Sequence, residues 1–193
     1  MKVVVDSSSL LSLVRYYLHF DKNTVLFDFI KRKIEQGEII IIDKVYEECS
    51  YFAKGIVLSK LDYLSDKSFL KNFKIPYKTE NMIAPSPAKF LRQIDNQFVN
   101  TVLRKQRNLT DAEYESQKNS YLENADMKII ILALNLIKDN EDEDIFIVTE
   151  ETESGNDNKL FKKIPAICKE LEIKTMTLPE LLSMYDEIKV EFI

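Results

Sequence analysis

The chain is poor in histidine and cysteine. Of its 193 residues one is histidine, His19, and two are cysteine, Cys49 and Cys168. A single histidine excludes a multi-histidine metal centre and counts against triads in which a histidine activates serine or cysteine. Two cysteines so far apart make neither paired zinc spacing nor a disulfide framework, and the expectation is two buried thiols in a reducing compartment. Long apolar runs are missing too. Stretches such as Ile39 to Ile42 fall far short of the ~20 residues that span a bilayer. The opening Met1-Lys2-Val3-Val4-Val5-Asp6 shows no cationic, apolar and cleavage-site order, so the expectation is a cytoplasmic protein without signal peptide or membrane partner. Any catalysis must rest on carboxylates.

What is present is acid and base, unevenly spread. The formal net charge is −5; residues 1–53 carry net −1, residues 54–110 carry +7, and residues 111–193 carry −11. A net charge of −5 is not the signature of a simple nucleic-acid binder, but the basic middle between acidic parts marks that middle as distinct.

Hydrophobic periodicity gives alternating elements. Val3 to Val5 reads as a strand, and the serines at 7–9 with Leu10, Leu11, Leu13, Val14 and Leu18 read as a turn and helix. Asn23 to Gln36 reads as a helix ended by Gly37, and Glu38 to Ile42 as a buried strand. Asp43 reads as the N-cap of a helix reaching about Ala53. Lys89 to Arg107 reads as one helix, and Thr110 with Glu113 forms a capping box for the next. An apolar helix follows Asn124 and runs through Ile137. Asp144 to Thr149 reads as a strand. A polar loop holding Gly155 leads to a helix over Leu160 to Leu171, in which Pro165 sits early or marks the true start. Ile173 to Met176 and Ile188 to Phe192 read as strands around a helix from Leu178 to Met184. Such alternation implies a parallel sheet covered on both faces. With 193 residues, one domain is expected, 1–193, carrying a helical, basic insertion over about 55–120.

Ligands of open α/β sheets bind beyond the carboxyl ends of the strands. Asp6 directly follows the first strand, and Glu151 lies just past the strand closing at Val148-Thr149. Glu48 and Asp126 fall near helix starts that belong to the same edge. Four carboxylates converging there would repel one another unless a cation lay between them, and hard oxygen ligands suit Mg²⁺ or Mn²⁺. From spacing alone each acid, taken singly, reads more readily as a helix cap or solvated charge, because acids near helix N-termini are favoured by the helix dipole. Asp6 is the hardest to read that way, since a carboxylate ending an apolar strand is costly to bury without a partner.

In order along the chain, these segments resemble the PIN-domain nucleases. Val3-Val4-Val5-Asp6-Ser7-Ser8-Ser9-Leu10-Leu11 resembles that family's opening strand with its aspartate. Val45-Tyr46-Glu47-Glu48 resembles its V-x-x-E step, and Ala125-Asp126 through Ala133 its A-D-x-x-I-x-x-x-A helix. Ile147-Val148-Thr149-Glu150-Glu151 resembles its V-T-x-D segment with Glu for Asp. Lys163 to Cys168 and Leu178-Pro179-Glu180-Leu181-Leu182 resemble a bacterial PIN-like branch formerly of unknown function, which often carries V-T-x-E.

The resemblance implies a Rossmann-like, three-layer α/β/α fold around a parallel sheet of about five strands. It implies a Mg²⁺- or Mn²⁺-dependent endoribonuclease with Asp6, Glu48 and Asp126 as metal ligands and catalytic acids, and Glu151 as the fourth, acting through water. Glu47 competes with Glu48, and the V-x-x-E spacing favours Glu48. Ser8 and Thr149 would hold carboxylates or water by hydrogen bonds. Many bacterial relatives of this kind are toxins paired with a small antitoxin, and many are homodimers. Two departures stand out: Glu151 is longer than aspartate, and the stretch between Glu48 and Asp126 is longer than in compact members.

The basic middle, with Lys71, Lys74, Lys78, Lys89, Arg92, Arg104, Lys105 and Arg107, could contact RNA phosphates, and Phe73 and Tyr77 could stack on bases. The plain alternative is a solvated charged face with core aromatics. Glu141-Asp142-Glu143-Asp144 reads as a solvated loop. Beside the nuclease stands a non-catalytic PIN-like module that binds RNA or protein. An aspartyl phosphatase needs a second Asp where Ser8 stands, and a receiver domain needs an acidic pair that Met1 to Val5 cannot supply.

Overall fold

The computed structural model describes residues 1–152 and 158–188. Four strands form one parallel sheet: β1 (Lys2–Val5), β2 (Ile39–Ile40), β3 (Ile145–Val148) and β4 (Lys174–Met176), in the order β2-β1-β3-β4. The three valines of β1 are fully or almost fully buried, as expected for a strand lying between two neighbours. Val3 pairs with Ile39 and Phe146, Val5 pairs with Val148, and Val148 pairs with Met176. The carboxyl ends of β1, β3 and β4 therefore coincide.

The helices are α1 (Ser7–Ser12), α2 (Val25–Glu35), α3 (Asp43–Tyr51), α4 (Ile56–Lys60), α5 (Lys67–Phe73), α6 (Pro87–Gln93), α7 (Thr101–Gln106), α8 (Asp111–Leu122), α9 (Ala125–Asp139), α10 (Ile164–Glu170) and α11 (Leu178–Ser183). They flank the sheet. The strand order reverses direction at β1, and right-handed crossovers on either side of such a reversal call for helices on both faces. The most apolar helix, α9, packs on β1 and β3 and buries eight residues from Ala125 to Ala133. Burying each such large aliphatic side chain stabilises the fold by roughly 1.5–3 kcal/mol. The middle of the chain is helical, and Leu61, Leu64, Phe90 and Phe98 belong to the same buried cluster as the sheet.

Several local expectations are corrected. The second strand is shorter than Glu38 to Ile42 because Ile41 and Ile42 turn away to meet Tyr77, whose N–H donates to the Ile41 carbonyl at 2.8 Å. Asp43 is not the N-cap of α3; Ile42 is, and α3 ends at Tyr51. The Asp43 carboxylate instead accepts the Thr79 N–H at 3.0 Å and the Thr79 hydroxyl at 2.5 Å. The expected single helix over 89–107 is broken. A π-helical turn at Ile94–Phe98 releases the chain so that Val99 bridges Phe161, and Asn100 then caps α7 by accepting the Leu103 N–H. Pro165 does mark the true start of its helix.

The capping box of Thr110 and Glu113 forms as expected, and both cysteines are buried. The acidic run is a solvated loop, as expected, with Glu141, Asp142 and Asp144 exposed; Glu143 pairs with Lys2 at 2.7 Å and Asp144 with Lys174 at 2.6 Å, tying it to β1 and β4. Gly155 and all but the first residue of the expected last strand lie outside the described residues. No helix among the described residues is long and apolar enough to cross a membrane.

Candidate functional site

β1 delivers Asp6 to the carboxyl edge of the sheet, where its N–H donates to the Val148 carbonyl at 2.9 Å. Asp6 caps α1, accepting the Ser7 N–H on Oδ1 at 2.7 Å, and is only 5% exposed. Its other oxygen, Oδ2, accepts hydroxyls from Ser8 at 2.5 Å and from buried Thr149 at 3.0 Å. Three donors explain how a carboxylate survives burial here, since a buried charge needs hydrogen bonds or a counter-ion. The same hydroxyls organise the end of β3. Ser8 Oγ accepts the Glu150 N–H at 3.1 Å and Thr149 Oγ1 accepts the Glu151 N–H at 3.2 Å.

Adjacent acids are separated by their surroundings. Glu48, half-buried on α3, accepts the Ser7 hydroxyl on Oε2 at 2.8 Å, whereas Glu47 is exposed and 3.8 Å from Lys44. Glu150 accepts the Leu178 N–H at 2.8 Å, at the first turn of α11. Glu151 keeps a buried Oε2 without a hydrogen-bond partner. Asp126 stands in the first turn of α9, which Asn124 caps by accepting the Met127 N–H at 2.9 Å.

The acids feel one another. Burial pushes the Asp126 carboxyl up to about 7, reinforced by the charges of Asp6, Glu151 and Glu48 and opposed by Lys159. Burial also raises Glu48; the Ser7 hydrogen bond opposes this, while Asp6, Glu47 and Glu151 add to it. Tyr121, whose hydroxyl donates to the Lys162 carbonyl at 2.9 Å, is raised by burial and then by Asp126 and Glu151. The charges of Asp6 and Glu151 thus bear on both Asp126 and Glu48. Among the described residues, however, no group of three or more His, Cys, Asp or Glu side chains is gathered so that it could hold a metal ion as it stands.

A hard divalent cation fits this donor set in chemistry. The donors are all carboxylate oxygens, one of them buried and unpartnered, and the rise of Asp126 is what a cation would relieve. The fit stops at chemistry, because the oxygens would have to draw together to ligate.

The basic middle divides. Arg104 is committed internally, pairing with Asp111 at 3.2 Å and lying over the Tyr114 ring at 3.7 Å. Arg107 donates to the Asn158 carbonyl, and Arg92 to the Ala88 carbonyl at 3.2 Å. Lys89 and Lys105 are exposed, as are Lys71, Lys74 and Lys78. Phe73 and Tyr77 are partly exposed and not core.

Sequence reasoning missed Ser7, Tyr121 and Lys159. Ser7 is next to Asp6, but nothing in its spacing says that it faces Glu48. Tyr121 and Lys159 reach the acids only through the packing of α8, α9 and the segment before α10.

The chain belongs to a family described as a domain of unknown function, DUF4411, which matches residues 79–188. The match includes Asp126 and Glu151 and stops short of Asp6 and Glu48. No curated protein and no solved structure matches the chain.

Proposed function

We propose that this chain is a divalent-metal-dependent nuclease that hydrolyses RNA phosphodiester bonds, on a PIN-like α/β/α fold with a fifth strand completing the sheet. The observation that carries the reading is that acids at the ends of β1 and β3 bear on both Asp126 of α9 and Glu48 of α3, adding to the rise that burial gives each of them. Carboxyls raised by burial together with specific charged neighbours cluster at functional sites. Asp6, Glu48 and Asp126 would hold Mg²⁺ or Mn²⁺, with Glu151 as the fourth acid. A bound ion of this kind lowers the pKa of water and neutralises charge at phosphorus. Ser7 fixes Glu48, Ser8 and Thr149 fix Asp6, and the unpartnered Glu151 Oε2 is available to accept a proton from water. A toxin role with a small antitoxin, and a homodimer, are the biological settings this reading would fit.

A second reading is a non-catalytic RNA- or protein-binding module. It is favoured by one observation, that the acids are not gathered as a ready-made ligand set among the described residues. Calorimetric titration of the full chain with Mn²⁺ separates the two. The nuclease reading expects saturable binding that Asp126→Asn weakens at least tenfold; wild-type protein that takes up no Mn²⁺ sinks it.

A further inference from the structure

Two aromatic rings stand in solvent one helical turn beyond Glu48. Tyr51, the last residue of α3, is 60% exposed and Phe52, which follows it, is 48% exposed; their rings lie 5.0 Å apart. The Phe52 N–H donates to the Glu48 carbonyl, so the pair is fixed to the turn that carries the site acid. Tyr51, three residues on from Glu48, stands on the same helix face, and Phe52 follows as the extended residue that ends the helix.

The backbone after the pair is unusual. Ala53, Lys54 and Gly55 follow with φ of 48°, 60° and 70°, three left-handed residues in succession. Ala53 and Lys54 each meet a steric cost in that region. A Cβ at Gly55 would lie 2.9 Å from the Ser50 carbonyl oxygen, so glycine alone fits there. The exposed pair thus runs straight into a strained turn that is fixed by Gly55. The two rings together leave an exposed apolar patch beside the site acid.

Charge indicates what such a patch would meet. Lys54 is exposed in the turn itself. Arg15 is exposed on the π-helical turn Leu13–Tyr17, which packs on α4, the helix into which the strained turn leads. Glu47, the nearby exposed acid, is faced by Lys44. Exposed aromatics interleaved with cations suit unpaired bases on a phosphate backbone, because every base has a face to stack and every linkage a negative charge.

We propose that Tyr51 and Phe52 form a stacking platform for unpaired bases next to the acidic site, selecting single-stranded over paired RNA. This rests on the reading of the acidic cluster as a nuclease centre. The test is fluorescence anisotropy of a labelled single-stranded RNA, and of the same strand carrying abasic sites, in chelator so that nothing is cleaved. Tyr51→Ala and Phe52→Ala should each weaken binding of the intact strand about tenfold, Tyr51→Phe should retain it, and the abasic strand should bind weakly to all forms alike.

Equal binding of intact and abasic strands by the wild type, or no binding, overturns the platform. So does a self-associated chain that Tyr51→Ala dissociates on gel filtration without any change in RNA binding. Cleavage measured separately keeps the two claims apart. Base-dependent binding without metal-dependent cleavage sinks the nuclease reading alone, and cleavage with base-independent binding sinks the platform alone.

Discussion

Ser7 links Asp6 to Glu48: its backbone N–H binds Asp6 Oδ1 at 2.7 Å while its hydroxyl binds Glu48 Oε2 at 2.8 Å. The hydroxyl therefore sets where the helix acid stands relative to the strand-end acid. Ser7→Ala removes a hydrogen bond to a half-buried carboxylate, costing about 1 kcal/mol, or ~2–4 °C in Tm. Because Ser7 holds the Glu48 carboxyl down against burial, the variant should titrate Glu48 at higher pH in a carboxyl-detected NMR experiment, and Ser7→Thr should not.

Asp126 makes stability fall as pH rises. Its carboxyl is raised from 3.8 to about 7 by burial and by Asp6 and Glu151, so the folded chain holds this proton more tightly than the unfolded chain. No penalty exists below about 4; it grows through the interval and is complete above about 7, at ~1.4 kcal/mol per unit. Asp126→Asn removes the charge. In chelator its Tm should exceed that of the wild type by several degrees near pH 8 and converge with it near pH 4. Equal melting curves near pH 8 would mean that Asp126 is not strained by its neighbours.

The same strain predicts a cation effect. If Mn²⁺ binds the native acids and not the unfolded chain, a concentration of ~100 Kd stabilises by about 2.7 kcal/mol. Thermal melts with and without Mn²⁺ should show an upward shift for wild type that shrinks sharply in Asp6→Asn. A shift of the same size in both would place the ion elsewhere.

Asp43 and Thr79 clamp the start of α3 to the middle of the chain. Burial pushes the Asp43 carboxyl up, but the hydrogen bonds from the Thr79 hydroxyl and backbone, and from Lys44, outweigh it and hold the carboxyl below 3.8. This contribution is present above about 4 and is lost as pH falls through the lowered value. Thr79→Val should cost about 1–2 kcal/mol near pH 7 and progressively less below pH 4, read from urea unfolding at several pH values.

Much of the scaffold was legible in the sequence, because periodicity reports burial directly. β1 and β3 read as strands, α9 as the apolar helix on the sheet, and Thr110 with Glu113 as a cap. What escaped depends on partners far along the chain. The Asp43 carboxylate turned to Thr79 rather than to its own helix, and the helix expected over 89–107 broke where Val99 found Phe161. At the site, the strand-end position of Asp6 was readable, while the roles of neighbouring residues were not. Glu150 and Glu151 look alike in sequence, yet one binds the first turn of α11 and the other leaves an oxygen unpartnered. Ser7 and Ser8 look alike too, yet one faces Glu48 and the other Thr149.

As proposed, the four acids form a metal-dependent centre acting on RNA. The most direct test is cleavage of an end-labelled single-stranded RNA by the full chain in Mn²⁺, compared with Asp6→Asn and Asp126→Asn and with chelator. Cleavage by the wild type, abolished by chelator and reduced at least a hundredfold in both variants, is the predicted result. Cleavage at the wild-type rate in either variant, or none by the wild type with Mn²⁺ bound, would contradict it.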